Sequence, residues 1–179
     1  NGEIEANADS LAAALNWMVQ QRVAVINMSL AGPPNVLLEM AIKKTLTQGH
    51  AIVAAVGNAG PAAPELYPAA YNGVIAVTAV DTQQRIYRRA NRGKHVDFAA
   101  TGVKVQAANQ AGGYATFSGT SYASPIVSAI LARHLAVPNP ERQRQLYKQL
   151  QQRAEDIGTT GHDPIFGYGL LSKVQHDVQ

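Results

Sequence analysis

The heptapeptide Gly119-Thr120-Ser121-Tyr122-Ala123-Ser124-Pro125 comes directly before an apolar run, residues 126–132. We expect that run to form a helix, so that Ser121 lies at a helix N-terminus. Free backbone N–H groups and the positive end of the helix dipole favour negative charge at this position. A serine nucleophile that forms an oxyanion needs such an environment. The alternative is a serine that only caps the helix, because serine and threonine commonly begin helices.

Outward from this segment, the chain alternates between helical spacing and short, continuous apolar runs. The runs predict strands, and such runs are typical of a parallel sheet covered by helices on both faces. A hairpin formed by residues 103–108 and 114–117 leads to the heptapeptide. The predicted strands are residues 23–28, 51–56, 74–80 and 96–100. The predicted helices begin at Asp9 or Ser10, at Asn35 (ending at Gly49), at Ser121 (to about Leu135) and at Glu141 (to about Arg153).

Composition indicates a piece of a globular α/β protein. The 179 residues are 46% hydrophobic and 15% charged, which is enough for one domain with its own core. No apolar run approaches the roughly 20 residues of a membrane-spanning helix, and residues 1–5 do not resemble a signal peptide. The absence of cysteine excludes disulfide and thiolate chemistry without deciding the compartment. Because the first residue is Asn1 and not Met, we expect that the chain was cut from a longer precursor.

Two segments upstream of the heptapeptide help to interpret its function. Ile26-Asn27-Met28-Ser29-Leu30-Ala31-Gly32 is followed by Ala54-Ala55-Val56-Gly57-Asn58-Ala59-Gly60-Pro61. In this order, the three segments resemble the subtilisin-like serine peptidases (subtilases). The similarity continues through residues 67–71, 74–81 and 167–171, so it covers the chain from about Ser10 to Ser172. The resemblance implies a three-layer α/β fold with a parallel sheet flanked by helices. Residues 1–179 would be the C-terminal portion of a single peptidase domain.

The resemblance also implies roles for individual residues. Ser121 matches the nucleophile that forms the acyl-enzyme, and Asn58 matches the side-chain amide of the oxyanion hole, working with the backbone N–H of Ser121. Without this context, Gly57-Asn58-Ala59-Gly60 would be an ordinary Asn/Gly turn. The expected partners are peptide or protein substrates, and the expected location is secreted or periplasmic. The residues that match the substrate-binding strands are Ser29, Leu30, Ala31, Gly32, Ala54, Ala55, Val56 and Gly57.

A catalytic base is the element that the sequence lacks. In subtilases the triad runs Asp, His, Ser along the chain, and this chain begins at a point that looks downstream of the first two. His134 would lie roughly 20 Å from Ser121 along the helix axis at 1.5 Å per residue. A contiguous His162-Asp163 cannot form a triad by itself. We interpret all five histidines as surface residues: His50, His95, His134, His162 and His176.

Three expectations follow from the missing base. The aspartate and the histidine would come from an upstream segment of the same domain, and the chain alone would be inactive. Without that segment, the strand at residues 23–28 would become a sheet edge. An unpaired apolar edge favours self-association or binding of the missing half.

Some residues depart from the family pattern. Ala31 replaces a glycine at the rim of the substrate groove, Ile126 stands where many members have histidine, and Ala100-Thr101-Gly102 replaces Ala-Pro-Gly. These changes concern fine specificity. The family often binds calcium, but the loop at residues 67–71 has few carboxylates nearby, and Asp97 is the only one we can place there. We therefore predict no cofactor other than calcium, and a calcium site near Asp97 is to be tested against the structure.

Three classes of function remain open. The chain is part of a subtilisin-like endopeptidase, a non-catalytic relative that binds extended peptides, or a basic nucleic-acid-binding module. The third class rests on a net charge of +3 and one basic stretch, which we interpret as a solvated surface loop. We favour the first class because both Asn58 and Ser121 are present, and we expect neither nucleic acid nor membrane as a partner. The basic stretch contains Arg85, Arg88, Arg89, Arg92 and Lys94.

Overall fold

A computed structural model describes residues 7–171 of the chain. Within these residues, four helices and six strands follow one another along the sequence. No helix among them is long and apolar enough to cross a membrane. The elements are α1 (Ala8–Gln20), β1 (Val25–Met28), α2 (Val36–Thr47), β2 (Ala51–Ala55), β3 (Ile75–Val80), β4 (Phe98–Thr101), β5 (Val105–Ala108), β6 (Tyr114–Phe117), α3 (Thr120–Ala132) and α4 (Pro140–Arg153).

Four parallel strands form the central sheet in the order β1-β2-β3-β4. Successive residues of the buried strand β2 point to opposite faces, which explains its continuous apolar sequence. Ile52 and Ala54 belong to the core under α1 and α2, whereas Ala51 and Val53 belong to the core under α3 and α4. The predicted three-layer α/β fold, with a parallel sheet flanked by helices, is confirmed. The predicted hairpin is also present, as the antiparallel pair β5–β6.

Helix α3 lies across the sheet and contacts all four of its strands. Its residues Ala123, Val127 and Leu131 are almost completely buried. The chain passes very close to the start of this helix at Gly102, where a Cβ atom would lie 2.7 Å from the carbonyl oxygen of Gly119 and 3.0 Å from the Cβ of Ala123. The absence of a side chain at Gly102 therefore allows α3 to approach the sheet at the end that carries Ser121.

Several element boundaries differ from the sequence prediction. Helix α1 is capped by Asn7, whose side chain accepts a hydrogen bond from Ser10 N at 2.8 Å, and not by Asp9 or Ser10. Strand β1 begins only at Val25, because the chain first turns through Arg22, which has a positive φ of 56°. Helix α3 begins one residue before Ser121 and ends at Ala132. The predicted cap Asn35 is confirmed, since its side chain accepts from Leu38 N.

Strand β1 is one of the two edge strands of the described part of the sheet, since it pairs with β2 on one side only. We expect the 179-residue chain to self-associate through this edge, because an unpaired strand offers its free backbone groups to another chain. Sedimentation velocity should show a concentration-dependent dimer or larger species. Hydrogen exchange should show that the amides of Val25–Met28 become less protected on dilution, while those of Ala51–Ala55 do not. A monomer at all concentrations, with freely exchanging β1 amides, would contradict this expectation.

Candidate active site

Ser121 lies in a cleft of about 410 Å³ at the carboxyl ends of β1 and β2. It is the second residue of α3, and the capping position is occupied by Gly119, which has no side chain to cap the helix. Ser121 is therefore not an N-cap. Its backbone N–H has no hydrogen-bond partner among residues 7–171, as expected for the first turn of a helix. A serine hydroxyl and a free backbone donor thus occupy the same cleft.

A proline four residues further along shapes the surroundings of Ser121. Pro125 lies inside α3 and has no N–H, so it cannot donate to the carbonyl of Ser121 as an ordinary helical residue would. The hydroxyl of Ser29, which follows β1, donates to this carbonyl at 3.0 Å instead. Ser29 Oγ in turn accepts from Asn27 Nδ2 at 2.8 Å and lies 3.0 Å from Ser124 Oγ. The carbonyl that Pro125 leaves without a helical donor thus forms a hydrogen bond that connects Ser121 to the end of β1.

The side-chain amide of Asn58 has one orientation that its neighbours allow. Its Oδ1 accepts from the backbone N–H of Thr120 at 3.0 Å and from the hydroxyl of Thr120 at 3.1 Å. Of the two amide atoms, only the oxygen can accept from a backbone N–H, so Nδ2 is turned away from Thr120. Nδ2 has no hydrogen-bond partner in the described part of the chain. Asn58 therefore presents a free donor in the cleft that also contains Ser121.

The turn that carries Asn58 is held by a second asparagine. Gly57 has a φ of +104°, and a Cβ there would lie 2.7 Å from Leu66 Cδ1 and 3.1 Å from Asn91 Oδ1. The side chain of Asn91 is completely buried, accepts from Ala59 N at 2.9 Å and donates to the carbonyl of Pro64 at 2.9 Å. Sequence reasoning found Gly57 and Asn58 but not the supporting residues Asn91 and Thr120, because no motif marks them.

The predicted substrate-binding residues do not all reach the cleft. Ala54 and Val56 are completely buried in the core under α1 and α2, because alternate residues of a strand face opposite sides. Gly32 exchanges two backbone hydrogen bonds with Tyr67, at 2.8 and 2.9 Å, so its backbone is already paired. The predicted residues that line the cleft are Ser29, Leu30, Ala31, Ala55, Gly57, Asn58 and Ser121.

The hydroxyl of Ser121 donates to the carbonyl of Ser29 at 3.3 Å, and not to any of the four histidines within residues 7–171. The prediction that the histidines are surface residues is wrong for His50, which is buried with Nδ1 2.6 Å from the carbonyl of Val23. It is also wrong for His95, whose side chain is 8% exposed and lies 3.3 Å from Glu65. Burial lowers the pKa of His95 below its usual value, against the opposing effect of Glu65.

Two further histidines lie beyond α3. His134 follows the end of that helix, and His162 Nε2 lies 2.8 Å from the carbonyl of Val96. Asp163 is bonded to backbone N–H groups of its own loop and not to His162. His176 lies outside the described residues. Among residues 7–171, therefore, no histidine is hydrogen-bonded to Ser121.

A second cavity, of about 660 Å³, contains Asp97, the residue considered for calcium. Both carboxylate oxygens of Asp97 are engaged, one by Tyr147 OH at 2.5 Å and the other by Ala76 N at 2.7 Å. Among the described residues, Asp97 is the only acidic one that lines the cavity, whereas the basic residues Lys94, Arg144 and Lys148 also line it. Among residues 7–171, no group of three acidic, histidine or cysteine side chains could hold a metal ion. These residues do not fit a calcium ion, which needs several oxygen ligands.

Comparisons with known proteins identify the family of the chain. A family model described as "Subtilase family" matches residues 2–169. The chain is 36% identical over 163 residues to the "Minor extracellular protease Epr" of Bacillus subtilis, covering 90% of this chain and 25% of that protein. It is 32% identical to "Subtilisin DY" of Bacillus licheniformis, covering 91% of this chain and 60% of that protein. The chain thus spans between a quarter and about three fifths of the length of these curated relatives.

Two solved structures are similar in fold. The chain superposes on the "Prenylagaramide maturation protease PagA" with a TM-score of 0.81 and 26% identity, covering 96% of this chain and 66% of that one. It superposes on "Sphericase" with a TM-score of 0.80 and 30% identity, covering 93% of this chain and 64% of that one. The predicted subtilisin-like fold is confirmed.

The Ser29–Ser121 contact makes a testable prediction about stability. Ser29→Ala should lower the free energy of unfolding by about 1 kcal/mol, because the carbonyl of Ser121 loses its donor. In a Pro125→Ala background the loss should be smaller, because the introduced alanine has a backbone N–H that can donate to the same carbonyl. A double-mutant cycle measured by urea unfolding tests this coupling. Strictly additive effects would show that Ser29 and Pro125 act independently.

Asp97 predicts a pH dependence. Burial raises its pKa to about 6, although the hydrogen bonds from Tyr147 and Ala76 oppose the shift. The folded state therefore binds this proton more tightly than the unfolded state, so the contribution to stability declines as pH rises towards about 6 and is constant above it. Relative to Asp97→Asn, the wild type should lose about 1 kcal/mol of unfolding free energy between about pH 5 and about pH 7.5. Thermal or urea unfolding of both proteins at each pH measures this difference; a constant difference would contradict the assignment.

Proposed function

Because the chain belongs to the subtilase family of serine peptidases, we propose that it contributes to an endopeptidase that forms an acyl-enzyme on Ser121. One observation carries the proposal. The hydroxyl of Ser121, its free backbone N–H and the free Nδ2 of Asn58 belong to residues that line a single cleft. An attacking hydroxyl together with two neutral donors is the set of groups that acyl transfer from a peptide requires.

The proposed reaction assigns a task to each group. Ser121 Oγ attacks the carbonyl carbon of the scissile peptide bond and loses its proton to a base. The carbonyl oxygen takes up the negative charge and accepts hydrogen bonds from Asn58 Nδ2 and from Ser121 N–H. The intermediate then collapses, the proton passes to the leaving amine, and the acyl group remains on Ser121 until water releases it as a carboxylic acid. Asn58 can act in this way because Thr120 holds its oxygen and leaves its nitrogen free.

The base and the aspartate that orients it are proposed to come from a segment upstream of residue 1. Within residues 7–171, the hydrogen-bond partner of Ser121 Oγ is a carbonyl and not a histidine. A carbonyl oxygen cannot take up the proton of the hydroxyl. The family's order along the chain, with aspartate and histidine before serine, is consistent with an upstream source. The 179 residues alone are accordingly proposed to be inactive.

The substrate is proposed to be an extended segment of a peptide or protein. Ala31 follows β1 at the cleft, and its backbone N–H and C=O have no partner among the described residues. They are available to pair with a peptide backbone as one strand pairs with another. The methyl group of Ala31 lies beside this path and would influence which side chains fit. An extended-peptide binder without catalysis is the alternative, and it would use the same backbone groups.

A secreted or periplasmic location is part of the proposal. The name of one relative describes it as extracellular, whereas another relative, 35% identical, is named an intracellular serine protease. Fractionation of the source cells, with immunodetection of this chain, decides between the two locations.

Restoring the upstream segment tests the proposed chemistry. With that segment present, covalently or as a second chain, we expect cleavage of a peptide anilide and labelling of Ser121 by a fluorophosphonate. Asn58→Ala should lower kcat by about 10²–10³ with little change in KM, which is the loss known for this donor in subtilisin itself. Ser121→Ala should abolish both cleavage and labelling. Asn72→Ala, an exposed asparagine outside the cleft, is the matched control and should change neither.

Two outcomes would contradict the proposal. Turnover by the isolated 179 residues that disappears in Ser121→Ala would show that a base lies within this chain. An effect of Asn58→Ala on KM alone would mean that Asn58 shapes the cleft and does not stabilise the oxyanion.

A further inference from the structure

We propose that Arg89 makes the cleft selective for peptides that carry an acidic side chain close to the scissile bond. This inference rests on the proposed function, since it names the class of substrate for the same site. It differs from the sequence interpretation, in which Arg89 was one member of a solvated basic loop.

Arg89 lines the same cleft as Ser121 and Asn58 and is the only charged residue that does so within the described part of the chain. Its side chain is exposed, and it has no ion pair within residues 7–171. The other residues that line the cleft are apolar or neutral. The positive charge of Arg89 is therefore the one formal charge that these residues present to a peptide bound in the cleft.

The backbone that carries Arg89 is attached directly to the turn that carries Asn58. The carbonyl of Arg89 accepts from Gly60 N at 2.9 Å, and two residues later Asn91 N donates to the carbonyl of Gly57 at 3.1 Å. The side chain of Asn91 also accepts from Ala59 N. The intervening Ala90 is 1% exposed. The base of the Arg89 side chain is thus held at a constant position relative to the proposed oxyanion donor.

The remaining basic residues of this stretch do not share that position. Arg85 pairs with Asp81 at 2.8 Å, and Lys94 lines the cavity around Asp97. Arg88 shares the turn with Arg89 but does not line the cleft. Among the residues that line the cleft, this stretch is thus represented by Arg89 alone. Arg89 is the member whose charge lies at the peptide cleft.

A guanidinium favours carboxylates because its planar fork of N–H donors matches two carboxylate oxygens. At an exposed site, such a pair is worth about a two- to fivefold preference over a neutral side chain of the same shape. A lysine at the same substrate position meets a like charge and is disfavoured. Added salt should reduce both effects, because exposed charges are screened.

The test uses the protein with its upstream segment and a set of quenched peptides. Each peptide carries one Asp, Asn or Lys at one of the two positions on either side of the scissile bond. We expect one position at which kcat/KM for Asp exceeds that for Asn by about two- to fivefold, with Lys below Asn. Arg89→Gln should bring the Asp/Asn ratio close to one. Arg88→Gln, the matched control, should keep the ratio of the wild type.

A binding measurement separates failure of this inference from failure of the proposed function. Fluorescence anisotropy of the labelled Asp and Asn peptides with the 179-residue chain reports selectivity without catalysis. Selective binding that Arg89→Gln removes, together with no cleavage by the protein that carries its upstream segment, would refute the proposed peptidase and support the selectivity. Cleavage with an Asp/Asn ratio that Arg89→Gln leaves unchanged would refute the selectivity alone. For the wild type, an Asp/Asn ratio close to one in both the cleavage assay and the binding assay would also overturn the selectivity.

Discussion

Two hydrogen bonds from Thr120 to the side-chain oxygen of Asn58 connect the end of β2 to the first turn of α3. They decide which end of the amide faces the cleft, and they hold that amide beside Ser121. Gly57 N donates back to the hydroxyl of Thr120 at 3.2 Å, so the connection runs in both directions. Thr120 is completely buried, and its contacts are therefore protected from competition with water. The proposed chemistry of the cleft depends on this junction.

The rest of the fold positions the two sides of the junction. Helix α3 can lie close to the sheet because Gly102 and Ala123 leave room there, and its buried face then covers all four strands. Pro125 leaves one helical carbonyl unpaired, and Ser29 binds it from the end of β1. A proline inside a helix would weaken that helix in isolation, but here it frees the carbonyl through which Ser121 is hydrogen-bonded to the end of β1. Asn91 holds the turn that carries Asn58 in a similar way, because it is hydrogen-bonded to Gly57 and Ala59. It belongs to the segment that also carries Arg89.

Much of this arrangement could be predicted from the sequence, and the failures have physical reasons. Continuous apolar runs correctly indicated buried parallel strands, and Asn35 was correctly identified as a helix cap. The family resemblance matched residues 54–57 as one segment and could not show which alternate residues face the cleft, so Ala54 and Val56 were grouped with Ala55 and Gly57. His50 was taken for a surface residue because an isolated polar residue beside an apolar run has no local signal of burial. Its carbonyl partner, Val23, lies in another segment of the chain.

The sequence by itself determined the local chemistry: a serine at the start of a helix, an asparagine after a strand in a Gly-rich turn, and the order of the motifs that indicates the family. These properties depend on residue types and short spacings, which are visible along the chain. Only the tertiary structure decided the orientation of the Asn58 amide, the donor for the Ser121 carbonyl, the burial of His50 and the place of Arg89 beside the cleft. Each of these depends on contacts between residues far apart in sequence, and such contacts exist only once the sheet and α3 have packed together.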